Sequence, residues 1–300
     1  MEEISIFKKV IYKTKDCIKL IRVKHWIKNG LIFLPIVFSG QLFNFKSLMR
    51  ILATFFIFSF MASSIYIIND IRDKEKDRKH ERKCKRPIAA GRISVKQAII
   101  LDIFLIVTSI SAVLLFRLNL YASILIFVYF IINLGYSMGL KNIPLLDLVI
   151  LATGFVIRVM LGGAVLNIPI SNWLFLTVLS MAFYLGLGKR RGEVQKSGTE
   201  TRAVLKHYSK EYLDRNMIMF LSMAIIFYSL WVIGGSLYVE NNPLIWTIPM
   251  IVTILMKYNM DIDNGSDGDP TEVVFHDWLL IVLMVIYGIY TIGSIYLKGV

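Results

Sequence analysis

Three aspartates, Asp70, Asp73 and Asp77, follow the apolar run "ILATFFIFSFMASSIYII" at spacings of three and four residues. On a helix turning about 100° per residue they fall within roughly 60° of one another. One face then presents three carboxylates, and like charges that close repel unless a cation lies among them. Internal pairing with Arg72, Lys74, Lys76 and Arg78 is one solution, weakened because Lys74 and Lys76 project to the opposite side. A Mg²⁺ ion is the other. It takes oxygen ligands, keeps several waters, and is commonly held by one or two carboxylates together with substrate phosphates. The cations that follow, Arg78, Lys79, Arg82, Lys83 and Arg86, suit phosphate oxygens that the metal does not reach. The segment therefore reads as a diphosphate–Mg²⁺ site, with Asp70, Asp73 and Asp77 as metal ligands and catalytic residues. Asn69 either orients the pyrophosphate or the first ligand, or bonds the helix end.

The elements that must position these residues are membrane helices. The chain has 300 residues, is 56% hydrophobic, and gathers its apolar residues in blocks near the ~20 residues that cross a bilayer core. The expected fold class is an all-α integral membrane protein with nine transmembrane helices. They fall at roughly 27–43, 49–69, 97–116, 119–136, 145–166, 171–188, 217–239, 243–258 and 277–297. Most of the 34 Lys and Arg then share one side, while the other holds only Lys46, Arg50, Arg117 and Lys298. The positive-inside rule puts the basic side, with the N-terminus and the aspartates, in the cytoplasm. A net charge of +13 follows from that topology, and no nucleic-acid-binding signature accompanies it. Residues 1–26 read as an interfacial amphipathic helix, 70–95 as a first Asp-rich cytoplasmic loop and 189–215 as a second. The chain 1–300 reads as one membrane domain in the cell membrane. Cys17 and Cys84 are expected as free thiols on the cytoplasmic side.

Two further features carry chemistry on composition alone. Arg158 lies inside an expected span, where a cation is costly and turns toward a partner. Contact with a lipid phosphate or substrate is favoured over a structural pair with Asp102 or Asp147. Lys189, Arg190 and Arg191 form a triple cation in a loop whose only aspartate is Asp214, which suits an additional phosphate, although topology alone also explains it. The acidic loop 261–269, "DIDNGSDGD", lacks calcium-loop spacing and reads as a lid or a solvated loop.

The pattern N-D-x-x-D-x-x-x-D-R-x-H followed by K-x-x-R-P-I-A-x-G resembles the first aspartate-rich motif of the UbiA prenyltransferase superfamily. The stretches "RVKHWIKNGLIFLPI" (22–36), "YSMGLKNIPLLDLVILATGFVIRVMLGG" (136–163), "ISNW" (170–173), "LGLGKRRGEV" (185–194) and "GSDGDPTEVVFHD" (265–277) resemble its decaprenyl-phosphate phosphoribosyltransferase branch. In that last loop Pro270, Glu272 and Asp277 echo a P-E…D pattern, with Thr271 intervening, and Glu81 stands where a proline commonly follows the motif histidine. The resemblance implies nine helices around a central cavity open to the cytoplasm. It implies Mg²⁺-dependent transfer of 5-phosphoribose from phosphoribosyl pyrophosphate to a polyprenyl phosphate, giving a precursor of arabinose-containing glycans of the cell wall. It also implies phosphate or ribose contacts for Lys28, Asn29, Tyr136 and Lys141, alongside Asn69, Arg78, Lys83, Arg86, Lys189, Arg190 and Arg191. Two alternatives stay open: transfer of a prenyl diphosphate to an aromatic acceptor on the same fold, and a transporter or lipid-binding protein without chemistry. Oligomeric state is not legible.

Overall fold

The computed structural model describes residues 14–81, 83–197, 203–234, 242–264 and 268–297, and the described residues contain helices and no strand. Residues 14–20 are helical. Leu20 is fully buried among Ile67, Ile88 and Ile93, so this end of the expected interfacial helix is sealed against the protein itself. Arg22 takes a left-handed conformation at φ 54° and turns the chain into a 3-10 helix, Val23–Phe33, followed by a short helix α1, Leu34–Phe38. The stretch expected as a first span is thus two short pieces.

The long helices are α2 (Phe45–Arg72), α4 (Val95–Leu115), α5 (Leu120–Met138), α6 (Leu146–Leu166), α7 (Asn172–Ser197), α8 (Lys210–Gly234), α9 (Thr247–Asp263) and α11 (Trp278–Tyr296). Short helices α3 (Lys74–Arg78) and α10 (Pro270–His276) lie between them. Among the described residues, six helices are long and apolar enough to cross a membrane: α2, α4, α5, α6, α8 and α11. Helix α7 runs on from its apolar half into Lys189–Arg191, and α9 has 17 residues.

The ends of these helices are encoded locally. Asn44 and Asn119 accept hydrogen bonds from Ser47 and Ala122, and Ser94 forms a capping box with Gln97. Such caps satisfy donors that a helix start leaves unpaired. Outward faces of α4 and α11 carry exposed Ile103, Phe104, Val285 and Ile289, as helices in contact with lipid require. Helices α2 and α6 are the most enclosed of the six, and they carry the candidate site between them. Gly162 of α6 makes their approach to the 3-10 helix possible, because a Cβ there would lie 2.1 Å from the Ile32 carbonyl oxygen.

Candidate functional site

Helix α2 stops at Asp73, so the three aspartates divide among its last turn, its cap and α3. Asp70 and Asp77 are each 3% exposed, and burying charge requires partners. The partners are not the neighbouring cations. Arg72 donates to the carbonyls of Ser137 and Met138 at the end of α5. Arg78 donates to Glu75 and the Ala89 carbonyl. Instead Arg86 Nη1 lies 3.0 Å from Asp70 Oδ1 and 2.6 Å from Asp77 Oδ2, and Arg22 Nη2 lies 2.6 Å from Asp70 Oδ1. Lys141 Nζ bonds Asp73 Oδ2 at 2.9 Å and Asn69 Oδ1 at 3.4 Å.

Two carboxylates therefore converge on one cationic point, as the spacing demands. Among the described residues no group of three His, Cys, Asp or Glu is gathered to hold a metal. The donor set fits Mg²⁺ in the form that takes one or two carboxylates and draws its remaining ligands from phosphate and water.

These residues border a cavity of about 240 Å³. Arg22, Lys28, Lys76, Lys83, Arg86, Lys141, Arg158 and Lys189 line it, against Asp73 and Asp77. The rest of the wall mixes hydrogen-bonding groups, Tyr66, Tyr129, Asn133, Tyr136 and Ser137 among them, with apolar side chains such as Ile65, Ile150 and Phe155. A chamber so rich in cations suits a polyanion.

Arg158 is 6% exposed and bonds no carboxylate among the described residues. It donates to Asn29 Oδ1 at 2.8 Å, the Tyr129 hydroxyl at 3.2 Å and the Gly154 carbonyl. The rings of Phe58, Tyr129 and Phe155 surround it at 5.0–5.8 Å. Asp147, weighed as a partner, is occupied by Arg190 at 2.7 Å and by the Tyr208 hydroxyl at 2.7 Å. Asp102 is not among the partners of Arg158 either. Arg158 is thus a membrane-depth cation held by neutral groups and facing the cavity.

A second cavity, an apolar groove of about 410 Å³, meets the first at Lys28 and Phe155, which line both. Its walls include Leu31, Met181, Trp231, Ile254 and Met284. At the junction, Asp269 accepts from Lys28 Nζ at 3.2 Å and from Lys189 Nζ at 2.9 Å. Burial pushes the Asp269 carboxyl up, but Lys189, Lys28 and the Thr271 hydroxyl outweigh it and hold it well below the usual carboxylate range. The end of the acidic loop is therefore a buried ionic junction, not a solvated turn.

Of the expected site residues, Lys28, Asn69, Asp73, Asp77, Lys83, Arg86, Tyr136, Lys141, Arg158 and Lys189 line the polar cavity, and Asp70 stands directly behind them. Others are placed elsewhere. Asn29 is 1% exposed and orients Arg158 from behind, itself donating to Ser59. Arg190 is wholly buried against Asp147, Glu193 and Tyr136. Arg191 is bound to Asp214 and Asp263. Arg78 points away to Glu75. All four bond protein groups, and none of them lines the cavity. Arg82 lies outside the described residues. Arg22, Tyr66, Asn133 and Asp269 join the site without having been singled out. A lone Asn in an apolar span and a cation before a Trp were the available signals for two of them.

This architecture defines a multi-pass helical membrane protein whose cation-lined chamber opens onto an apolar groove. The chain belongs to the UbiA prenyltransferase family, which residues 33–277 match. It is 33% identical to a decaprenyl-phosphate phosphoribosyltransferase of Mycolicibacterium smegmatis, over 92% of this chain and 91% of that one. It is 31% identical to the same-named protein of Corynebacterium glutamicum, over 93% and 86%. The fold matches a UbiA homolog from Archaeoglobus fulgidus bound to GPP and Mg²⁺, with TM-score 0.68, 17% identity, and coverage of 93% of this chain and 99% of that chain.

Proposed function

We propose that the protein transfers 5-phosphoribose from phosphoribosyl pyrophosphate to a polyprenyl phosphate and releases pyrophosphate. The observation that carries this reading is the meeting of a polar, cation-lined chamber with an apolar groove at one lysine, Lys28. A water-soluble polyphosphate donor and a lipid phosphate acceptor need those two environments side by side. The relatives named decaprenyl-phosphate phosphoribosyltransferases support the same pairing. The proposed topology has nine crossings in one domain of the cell membrane, with the N-terminus and the chamber facing the cytoplasm, where the basic residues gather.

Asp70, Asp73 and Asp77 would supply the carboxylates for Mg²⁺, and the ion would neutralise charge on the departing pyrophosphate. Arg22, Lys76, Lys83 and Arg86 take phosphate oxygens of the donor. Asn133, Tyr136 and Lys141 border its ribose 5-phosphate. The bond from the anomeric carbon to pyrophosphate oxygen breaks, and its electron pair leaves with pyrophosphate. An oxygen of the lipid phosphate forms the new bond to that carbon. The nucleophile is already an anion, so no side chain removes a proton. Arg158 stabilises negative charge between the two reactants.

The test is transfer of labelled phosphoribosyl pyrophosphate to polyprenyl phosphate by purified protein in detergent. Labelled lipid should form with Mg²⁺, and should vanish with EDTA and with Asp73→Ala. Joining of a prenyl diphosphate to an aromatic acceptor, with no labelled lipid, would refute the proposal.

A further inference from the structure

Resting on the transfer reading above, we infer that Lys28 and Lys189, fixed by Asp269, form the subsite for the acceptor's phosphate, a phosphomonoester of a long-chain alcohol. Asp269 is the positioning residue of that clamp.

Location is the first argument. Lys28 lines both cavities, and Lys189 lines the polar one. Immediately after Asp269, Pro270, Thr271, Val274 and Phe275 line the apolar groove. An apolar chain lying in the groove brings its terminal phosphate to the two ammonium groups. Charge is the second. Two lysines face one carboxylate here, so the junction keeps an excess positive charge for an anion. Each ammonium has three donors, and both lysines bond only the Asp269 carboxylate among the described residues. Donors remain on each for phosphate oxygens.

The third argument is that Asp269 is held in place. Its side chain caps α10 by accepting from the Thr271 amide at 3.1 Å and from the Thr271 hydroxyl. The preceding Gly268 has φ +65°, and a Cβ there would lie 2.2 Å from the Gly188 carbonyl oxygen. The loop is pressed against the residue next to Lys189. Through that contact the backbone sets Asp269, and Asp269 sets both lysines. A flexible lysine chain loses rotamer entropy when it binds an anion, and prior fixation removes that loss at the moment of binding.

The experiment uses full-length protein in detergent and two probes, farnesyl phosphate for the acceptor and phosphoribosyl pyrophosphate for the donor. Asn is as good a helix cap as Asp, so Asp269→Asn removes the charge while keeping α10 capped. With both lysines no longer fixed in advance, their lost rotamer freedom falls on the binding step, so Kd for farnesyl phosphate and KM for the lipid should rise about tenfold or more. The KM for phosphoribosyl pyrophosphate should stay within about twofold. Lys28→Met, measured in parallel, should weaken farnesyl phosphate binding at least as much. Weakened donor binding with unchanged farnesyl phosphate binding would overturn the assignment, as would unchanged binding of both. Tighter farnesyl phosphate binding in Asp269→Asn would also overturn it, because Asp269 would then compete with the ligand. Wild-type protein that binds farnesyl phosphate through Asp269 yet never consumes phosphoribosyl pyrophosphate would support the subsite and refute the donor.

Discussion

Replacing Arg158 with Met separates a functional cation from a structural one. Burying a guanidinium costs several kcal/mol even after relaxation. Around Arg158 that cost is met by three neutral acceptors, Asn29, Gly154 and Tyr129, and by three aromatic rings, each worth ~0.5–2 kcal/mol. Arg158→Met leaves Asn29 Oδ1 without its donor, a loss of about 1–3 kcal/mol, and removes the cost of burying a charge that has no counter-ion. The two effects oppose, and the Met side chain still packs on the rings, so thermal stability should hold or rise. The substrate anion loses its charged donor, which costs about 1.5–3 kcal/mol, or roughly ten- to a hundredfold in transfer rate. Thermal unfolding in detergent and transfer kinetics on one preparation give both numbers. Stabilisation by added pyrophosphate should shrink in the variant. A variant that keeps wild-type transfer but melts early would refute the argument, because Arg158 would then be a structural residue.

The buried pair Arg190–Asp147, with both side chains 0% exposed, should behave oppositely. Asp147→Leu takes one of two carboxylates from Arg190, leaving Glu193, and takes the acceptor of the Tyr208 hydroxyl; it should destabilise by about 1–3 kcal/mol, read as a lower melting temperature. Gly268→Ala should lower both stability and lipid affinity, since its Cβ has no room beside Gly188 and its φ is positive; circular dichroism melting and lipid KM check this. For pH, the folded Asp269 carboxyl titrates below its unfolded value, so its stabilising contribution is fully present above the unfolded value near 3.9. That contribution is lost as pH falls toward the folded value. Acid unfolding should therefore be shifted in Asp269→Asn, which lacks this contribution.

The sequence made the long helices and the cluster of aspartates legible because both are local, although α2 ends at Asp73 and the three do not share one helical face. Partners were not legible, because they arrive from far along the chain. Asp70 and Asp77 are neutralised by Arg22 and Arg86, not by adjacent residues. Asp269 meets Lys28 across 241 positions, so the end of a loop that reads as a lid or as solvated is an ionic junction. The triple cation shows the limit most sharply. Successive residues on α7 are turned by about 100°, so Lys189, Arg190 and Arg191 cannot serve one ligand together. Lys189 faces the chamber, Arg190 turns inward to Asp147, and Arg191 turns to Asp214 and Asp263. One helix turn thus divides three positive charges between the chamber and the scaffold. The two arginines that clamp α7 to α6 and α9 are what hold Lys189 at the junction where donor and acceptor would meet.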